Sequence, residues 1–91
     1  MALKMYILVR DDVDLGHAIL AAAHGSLGCY LDFQDRISMR DWVENSFRKV
    51  VCKVTPTEFE KAKTYELPHR VMTESGLGGM ETALVFVPQE D

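Results

Sequence analysis

Tyr6-Ile7-Leu8-Val9-Arg10-Asp11-Asp12-Val13-Asp14-Leu15-Gly16-His17 decides how this chain is read. The four apolar residues at its head are continuous rather than alternating, which is the pattern of a strand covered on both faces. A strand is expected over residues 3–9, central in its sheet. Asp11-Asp12-Val13-Asp14 is the turn that follows. Asp14 is placed to cap a helix, its carboxylate accepting from backbone N–H groups that the first helical turn leaves unpaired. From Leu15 onward Ile19, Ala22, Ala23, Leu27, Tyr30 and Leu31 recur with a period near 3.6. That spacing predicts a helix running to about residue 35.

Working outward, Ile37-Ser38 interrupts the helix, and Ser38 is expected to cap a short second one over residues 39–46 with Trp42 and Val43 facing inward. A second strand is expected over residues 47–54, centred on Val50-Val51-Cys52. Thr55-Pro56-Thr57-Glu58 then carries proline at the first helical position and an acid three residues after the threonine, the pattern of a capping box. The helix it opens is expected to end near residue 65, with Pro68 stopping it. Residues 69–73 and 82–87 read as strands on either side of the loop Ser75-Gly76-Leu77-Gly78-Gly79. The order is β-α-α-β-α-β-β. It implies an α/β fold, a four-stranded mixed sheet flanked by helices. No linker, repeat or low-complexity segment divides residues 1–91, so one domain is expected.

No apolar run in the 91 residues approaches the roughly 20 needed to cross a bilayer, so no membrane partner is expected. The opening residues read as a strand rather than a signal peptide. Cys29 and Cys52 stand at no metal-binding spacing. Two buried free thiols in a cytoplasmic protein is the expectation. The formal net charge of −4 argues against indiscriminate nucleic-acid binding. The charge is uneven, however. Residues 1–35 carry a net of −3, residues 36–70 a net of +3, and residues 71–91 four acids with no base. Arg36, Arg40, Arg48, Lys49, Lys53 and Arg70 could form a basic patch, or belong to an ordinary mixed surface.

His17 and His24 are seven residues apart, almost two helical turns, and so share a face with their Cα atoms roughly 10 Å apart. Histidines that share a metal usually stand at i and i+4, so no metal is expected. Ala21, Gly25 and Gly28 lie close to the same face. A stripe this small serves either close helix–sheet packing, with His24 a satisfied and partly buried histidine, or the floor of a pocket with His17 at its mouth and His24 deeper. The glycine loop has no Lys-Ser/Thr after it and is flanked by Glu74 and Glu81, which excludes a phosphate-binding P-loop. It is either a mobile active-site loop or a tight hairpin connection. Ser26, Ser75 and Cys29 stand in no nucleophile–base arrangement and read as structural.

Several segments together resemble the type-two peptidyl-tRNA hydrolase family. Val9-Arg10-Asp11-Asp12, the Gly16-His17 step, and His24-Gly25-Ser26-Leu27-Gly28-Cys29-Tyr30 are similar to that family's V-R-x-D, G-K and H-A-A-V-G-x-Y. Trp42 followed by Arg48-Lys49-Val50-Val51-Cys52-Lys53-Val54 is similar to its W-x-x-x-G-x-x-K-V-V-x-K-V. Glu74-Ser75-Gly76-Leu77, then Thr82-Ala83-Leu84-Val85 and Pro88, are similar to its D-A-G-L/R-T and closing strand. The resemblance implies a four-stranded mixed sheet flanked by helices, often dimeric, so a homodimer is expected. It also implies hydrolysis of the ester joining a peptide to the tRNA 3′ end, with tRNA as partner and no cofactor.

The chain departs from that family at the residues nearest the chemistry. His17 stands where the family carries lysine, and Ala21 and Ala23 where it carries glutamine and serine. Glu74 replaces its aspartate and Gly78 the following threonine. Ester hydrolysis needs a donor or cation at the developing oxyanion and a group that activates water. A histidine–glutamate pair can supply both. The resemblance therefore implies a site of His17, Asp12 and Glu74, with Arg10, His24 and Gly76 around it and Arg36, Arg40 and Lys49 contacting tRNA. Two readings remain open: an esterase acting on peptidyl- or aminoacyl-tRNA, and a non-catalytic relative that binds protein or RNA through the same groove.

Overall fold

A computed structural model describes residues 2–90. Its elements are β1 (Lys4–Arg10), α1 (Leu15–Phe33), α2 (Ile37–Asn45), β2 (Arg48–Val54), α3 (Pro56–Ala62), β3 (His69–Glu74) and β4 (Met80–Phe86). They form one four-stranded sheet in the order β2-β1-β4-β3. β1 pairs parallel with β2, Tyr6 opposite Val50, which requires the α1–α2 crossover between them. β1 pairs antiparallel with β4, and β3 with β4. The mixed sheet, the central β1 and the element order all agree with the sequence reading.

β1 is not covered equally on its two faces. Met5, Ile7 and Val9 are buried while Tyr6 and Leu8 are half-buried. The first set packs with Ala83, Val85 and Val87 of the C-terminal strand region against Ala21 and Cys29 of α1 and Met39 and Trp42 of α2. The second faces α3, where Phe59 and Ala62 join Leu84 and Phe86. Seven residues of helix are too short to cover that face, and an open groove lined by Tyr6, Leu8, Tyr65 and Phe86 runs beside α3.

The inward face of α1 is not its most apolar one. Its buried residues are Ala21, Gly25, Gly28 and Cys29, whereas Leu15, Ile19, Leu27 and Leu31 are 76%, 63%, 59% and 54% exposed. Both sets repeat with the helical period, so periodicity alone cannot choose between them. The small stripe faces the sheet because it lets the helix approach closely. The larger residues lie on nearly the opposite side. The two readings of the stripe resolve in favour of close packing, but His24 is exposed rather than partly buried or deep in a pocket.

The short elements show smaller differences. α2 begins at Ile37, with Arg36 rather than Ser38 at its N-cap. The Arg36 carbonyl accepts from Met39 N and Arg40 N, so the first turn is anchored two residues earlier than Ser38. Trp42 is buried and its Nε1–H donates to Arg48 O at 2.7 Å, but Val43 faces outward at 39% exposure. The capping box at Thr55 and Glu58 is present in both directions. α3 ends at Ala62, before residue 65, where the Thr64 hydroxyl donates to Lys61 O and competes for a helical acceptor. Cys29 is buried, but Cys52, on an edge strand, is only half-buried. Among the described residues no helix is long and apolar enough to cross a membrane.

Candidate active site

The turn after β1 and the turn between β3 and β4 meet at the N-terminus of α1. Asp14 caps that helix from an extended conformation, φ −64° and ψ 158°, and its Oδ2 accepts from His17 N at 3.3 Å. Its other oxygen, Oδ1, lies 2.7 Å from His17 Nδ1. One carboxylate thus holds both the backbone and the ring of the residue three positions on. The His17 ring hydrogen bond holds the Asp14 carboxyl below the usual aspartate range, so it is ionised at neutral pH. An ionised carboxylate only accepts hydrogen bonds. Nδ1 must therefore carry the proton, and in the neutral ring Nε2 is the bare nitrogen.

That nitrogen faces the β3–β4 connection. A Cβ built on Gly76 would stand 3.7 Å from His17 Nε2 and 3.2 Å from Glu74 Oε2. Imidazole and carboxylate therefore both stand close to Gly76. Glu74 Oε2 itself accepts from Gly76 N at 2.9 Å. The connection is a single 3-10 turn, Ser75–Leu77, closed by Gly78 N donating to Ser75 O and Gly79 N to Glu74 O. Gly78 sits at φ 69°, a left-handed conformation that side chains disfavour. Of the two loop readings left open, the tight hairpin connection is the one observed.

The other expected site residues divide into two groups. Arg10, at the end of β1, grips Asp12 through both carboxylate oxygens at 3.0 and 2.6 Å and lies 5.8 Å from the Phe59 ring centroid. That pairing, foremost the hydrogen bonds, pushes Asp12 down and Arg10 up from their ordinary values. Asp12 thus serves Arg10, and the carboxylate on the imidazole is that of Asp14. Sequence reasoning assigned Asp14 only a capping role. The Asp14-x-x-His17 spacing was the available signal, since a cap and the third residue after it share one turn. Arg36, the N-cap of α2, and Arg40 within it lie beyond the far end of α1, and Lys49 lies on β2. The Lys49 ammonium is held 3.4 Å from the Phe47 ring centroid and 5.0 Å from that of Trp42, and donates to Phe47 O. Partial burial pushes it down from the usual lysine value. His24, on the exposed side of α1, touches none of the residues around Gly76 by any recorded hydrogen bond or ion pair among the described residues.

No group of three or more His, Cys, Asp or Glu able to hold a metal ion gathers among the described residues. What the arrangement offers is an oriented imidazole with a bare nitrogen, beside a second carboxylate and a glycine turn. Those are parts suited to activating water toward a carbonyl.

The family model described as Peptidyl-tRNA hydrolase PTH2 matches residues 3–91. A peptidyl-tRNA hydrolase of Metallosphaera sedula is 33% identical over 94 residues, covering 91% of this chain and 80% of the relative. One of Sulfurisphaera tokodaii is 30% identical over 98 residues, covering 93% of this chain and 81% of the relative.

Proposed function

The chain belongs to the PTH2 family of peptidyl-tRNA hydrolases, and from that premise we propose that it hydrolyses the ester between a peptidyl or aminoacyl group and the 3′-terminal ribose of tRNA. The observation that carries the reading is His17 Nε2 standing close to Gly76, beside the Glu74 carboxylate. In this mechanism Nε2 takes a proton from water as the water oxygen bonds to the ester carbonyl carbon. The carbonyl–ribose oxygen bond then breaks, and the imidazolium returns the proton to the leaving ribose oxygen. The products are a free carboxylic acid and tRNA with its hydroxyl restored. Glu74 orders the turn on which the ester rests. Asp12 acts one step removed, holding Arg10 at the end of β1.

tRNA is far larger than this site, and its body would be held by the basic middle third of the chain, through Arg36, Arg40 and Lys49. A second copy of the chain would cover the apolar surface formed by Leu15, Ile19 and Leu27 of α1 with Phe47 and Val51. Exposed apolar area on this scale usually marks an association surface. The two unpaired thiols suit a reducing compartment such as the cytoplasm.

The test is release of N-acetylated amino acid from charged, N-acetylated tRNA by the purified chain. Release by the wild type that His17→Gln abolishes supports the reading. Absence of release, with tRNA still bound tightly, would favour the non-catalytic alternative.

A further inference from the structure

We propose that Asp14 is a positioning residue for the hydrolysis: it fixes His17 as the Nδ1–H tautomer and aims Nε2 at Gly76. The inference rests on the reading of His17 as the group that activates water.

The geometry separates two duties of one side chain. Oδ2, 3.3 Å from His17 N, satisfies a backbone N–H of the first helical turn. Oδ1, 2.7 Å from His17 Nδ1, engages the ring. The second contact is not required for capping, which any serine, asparagine or threonine would perform. Without a partner at Nδ1 a neutral imidazole exchanges its proton between both nitrogens, and its ring turns freely about the Cβ–Cγ bond. Only one tautomer and one ring orientation leave a lone pair pointing at Gly76. Glu74, the carboxylate beside Gly76, has one oxygen committed to Gly76 N. Asp12, in the same turn, is committed to Arg10. Asp14 is thus the one carboxylate bonded to the ring among the described residues.

Family position explains why such a partner arises here. A lysine at position 17 would bring its charge without needing orientation, because an ammonium donates equally in three directions. A histidine in its place is useful only if its tautomer and ring angle are set. The Asp14–His17 pair then replaces a point charge by an oriented base.

Two measurements on the intact chain test this, one of them independent of turnover. The variants are Asp14→Asn and Asp14→Ser, which keep a cap, and Asp14→Glu, which keeps the carboxylate. Ring nitrogen correlations in ¹⁵N NMR, with the three histidine signals assigned from single His→Gln variants, report the tautomer. The wild-type His17 ring is expected as Nδ1–H, and Asp14→Asn and Asp14→Ser as a mixture with Nε2–H. Against acylated tRNA the same two variants should lose about 100-fold or more in kcat, the scale of a misplaced general base, with KM within about 2-fold and the folded circular dichroism spectrum retained. Asp14→Glu should recover part of kcat.

Asp14→Asn or Asp14→Ser with wild-type kcat, while His17→Gln is inactive, overturns the proposal. So does an Nε2–H tautomer in the wild type, or an activity loss that tracks unfolding. An inactive wild type would overturn the hydrolase reading instead, and the tautomer of His17 would still decide whether Asp14 orients it.

Discussion

Gly25 of α1 lies against Val85 of β4 so closely that a Cβ on the glycine would stand 2.6 Å from Val85 Cγ2. No real Cβ sits that near a methyl carbon, so α1 could not rest on the sheet at this height with any larger residue there. Met72 of β3 makes a second contact with the same virtual atom at 3.5 Å. Gly25→Ala should therefore cost about 1–3 kcal/mol, the usual penalty for overpacking a core. Gly28→Ala, whose Cβ would meet the more yielding Met72 sulfur at 3.2 Å, should cost less. Urea unfolding of the two variants reads the order directly.

That contact also explains which parts of the fold were legible in the sequence. The strand over Tyr6 to Val9, the cap at Asp14 and the box at Thr55 and Glu58 are local, and local chemistry settles them. The inward face of α1 is not local. Leu15, Ile19 and Leu27 are more hydrophobic than Ala21, Gly25 and Gly28, and by transfer free energy they belong inside. They lie outside because the sheet below offers room only for small residues, and the sheet is assembled from distant segments. The site was legible in part for the same reason. His17 and Glu74 came from family likeness, and the structure brings both beside Gly76. Asp14 was taken for a cap alone, since spacing cannot show that its second oxygen meets the ring.

The two thiols should behave differently. Burial pushes the Cys29 thiol up to about 12, with nearby Asp32 adding to it, so almost none is thiolate at neutral pH. Cys52 is half-buried on β2. Iodoacetamide at pH 8 should modify Cys52 alone in the folded protein, and Cys29 only after denaturation. Peptide mass spectrometry distinguishes them, and early labelling of Cys29 would contradict its burial under α1.

Acid should weaken the fold from one side only. Asp12, Asp14 and Glu58 are all held below their ordinary values of 3.8, 3.8 and 4.5 by hydrogen bonds from Arg10, His17 and Thr55. A carboxyl depressed in the folded state contributes stability above its unfolded value and loses it as pH falls through the folded one. The melting temperature should therefore be flat from these groups at pH 6 and begin to fall below about pH 4.5. All three side chains are solvent-exposed, so the effect of each is small. A triple Asp12→Asn, Asp14→Asn, Glu58→Gln variant should fall less steeply between pH 4.5 and 3 in a calorimetric series.

The exposed apolar side of α1 predicts association. Leu15, Ile19 and Leu27 stand on consecutive or alternate turns of one stripe, with Val51 and Phe47 of the neighbouring β2 region also more than half exposed. Sedimentation of the wild type at micromolar concentration should give twice the chain mass. Ile19→Glu with Leu27→Glu should give the chain mass with circular dichroism unchanged, because neither side chain belongs to the core cluster. A wild type that sediments as a single chain leaves that surface without a second copy to cover it.

The last prediction separates grip from chemistry. Arg36 and Arg40 lie past the C-terminal end of α1, and His17 is in its first turn. Nineteen helical residues at about 1.5 Å each put roughly 28 Å between those ends. A contact with tRNA phosphates at the far end would therefore help the substrate stay bound without touching the reacting ester. Each lost phosphate contact should reduce the slope of log affinity against log salt by about one. Arg36→Ala with Arg40→Ala should flatten that slope by about two and raise KM, leaving kcat near its wild-type value. Lys49→Ala should change the slope less than either arginine, because its ammonium already sits over the Phe47 ring and donates to Phe47 O. Fluorescence anisotropy of labelled tRNA between 50 and 200 mM salt measures the slopes. If both arginines are silent while the Lys49 variant flattens the slope, the grip on tRNA runs along β2 instead of α2.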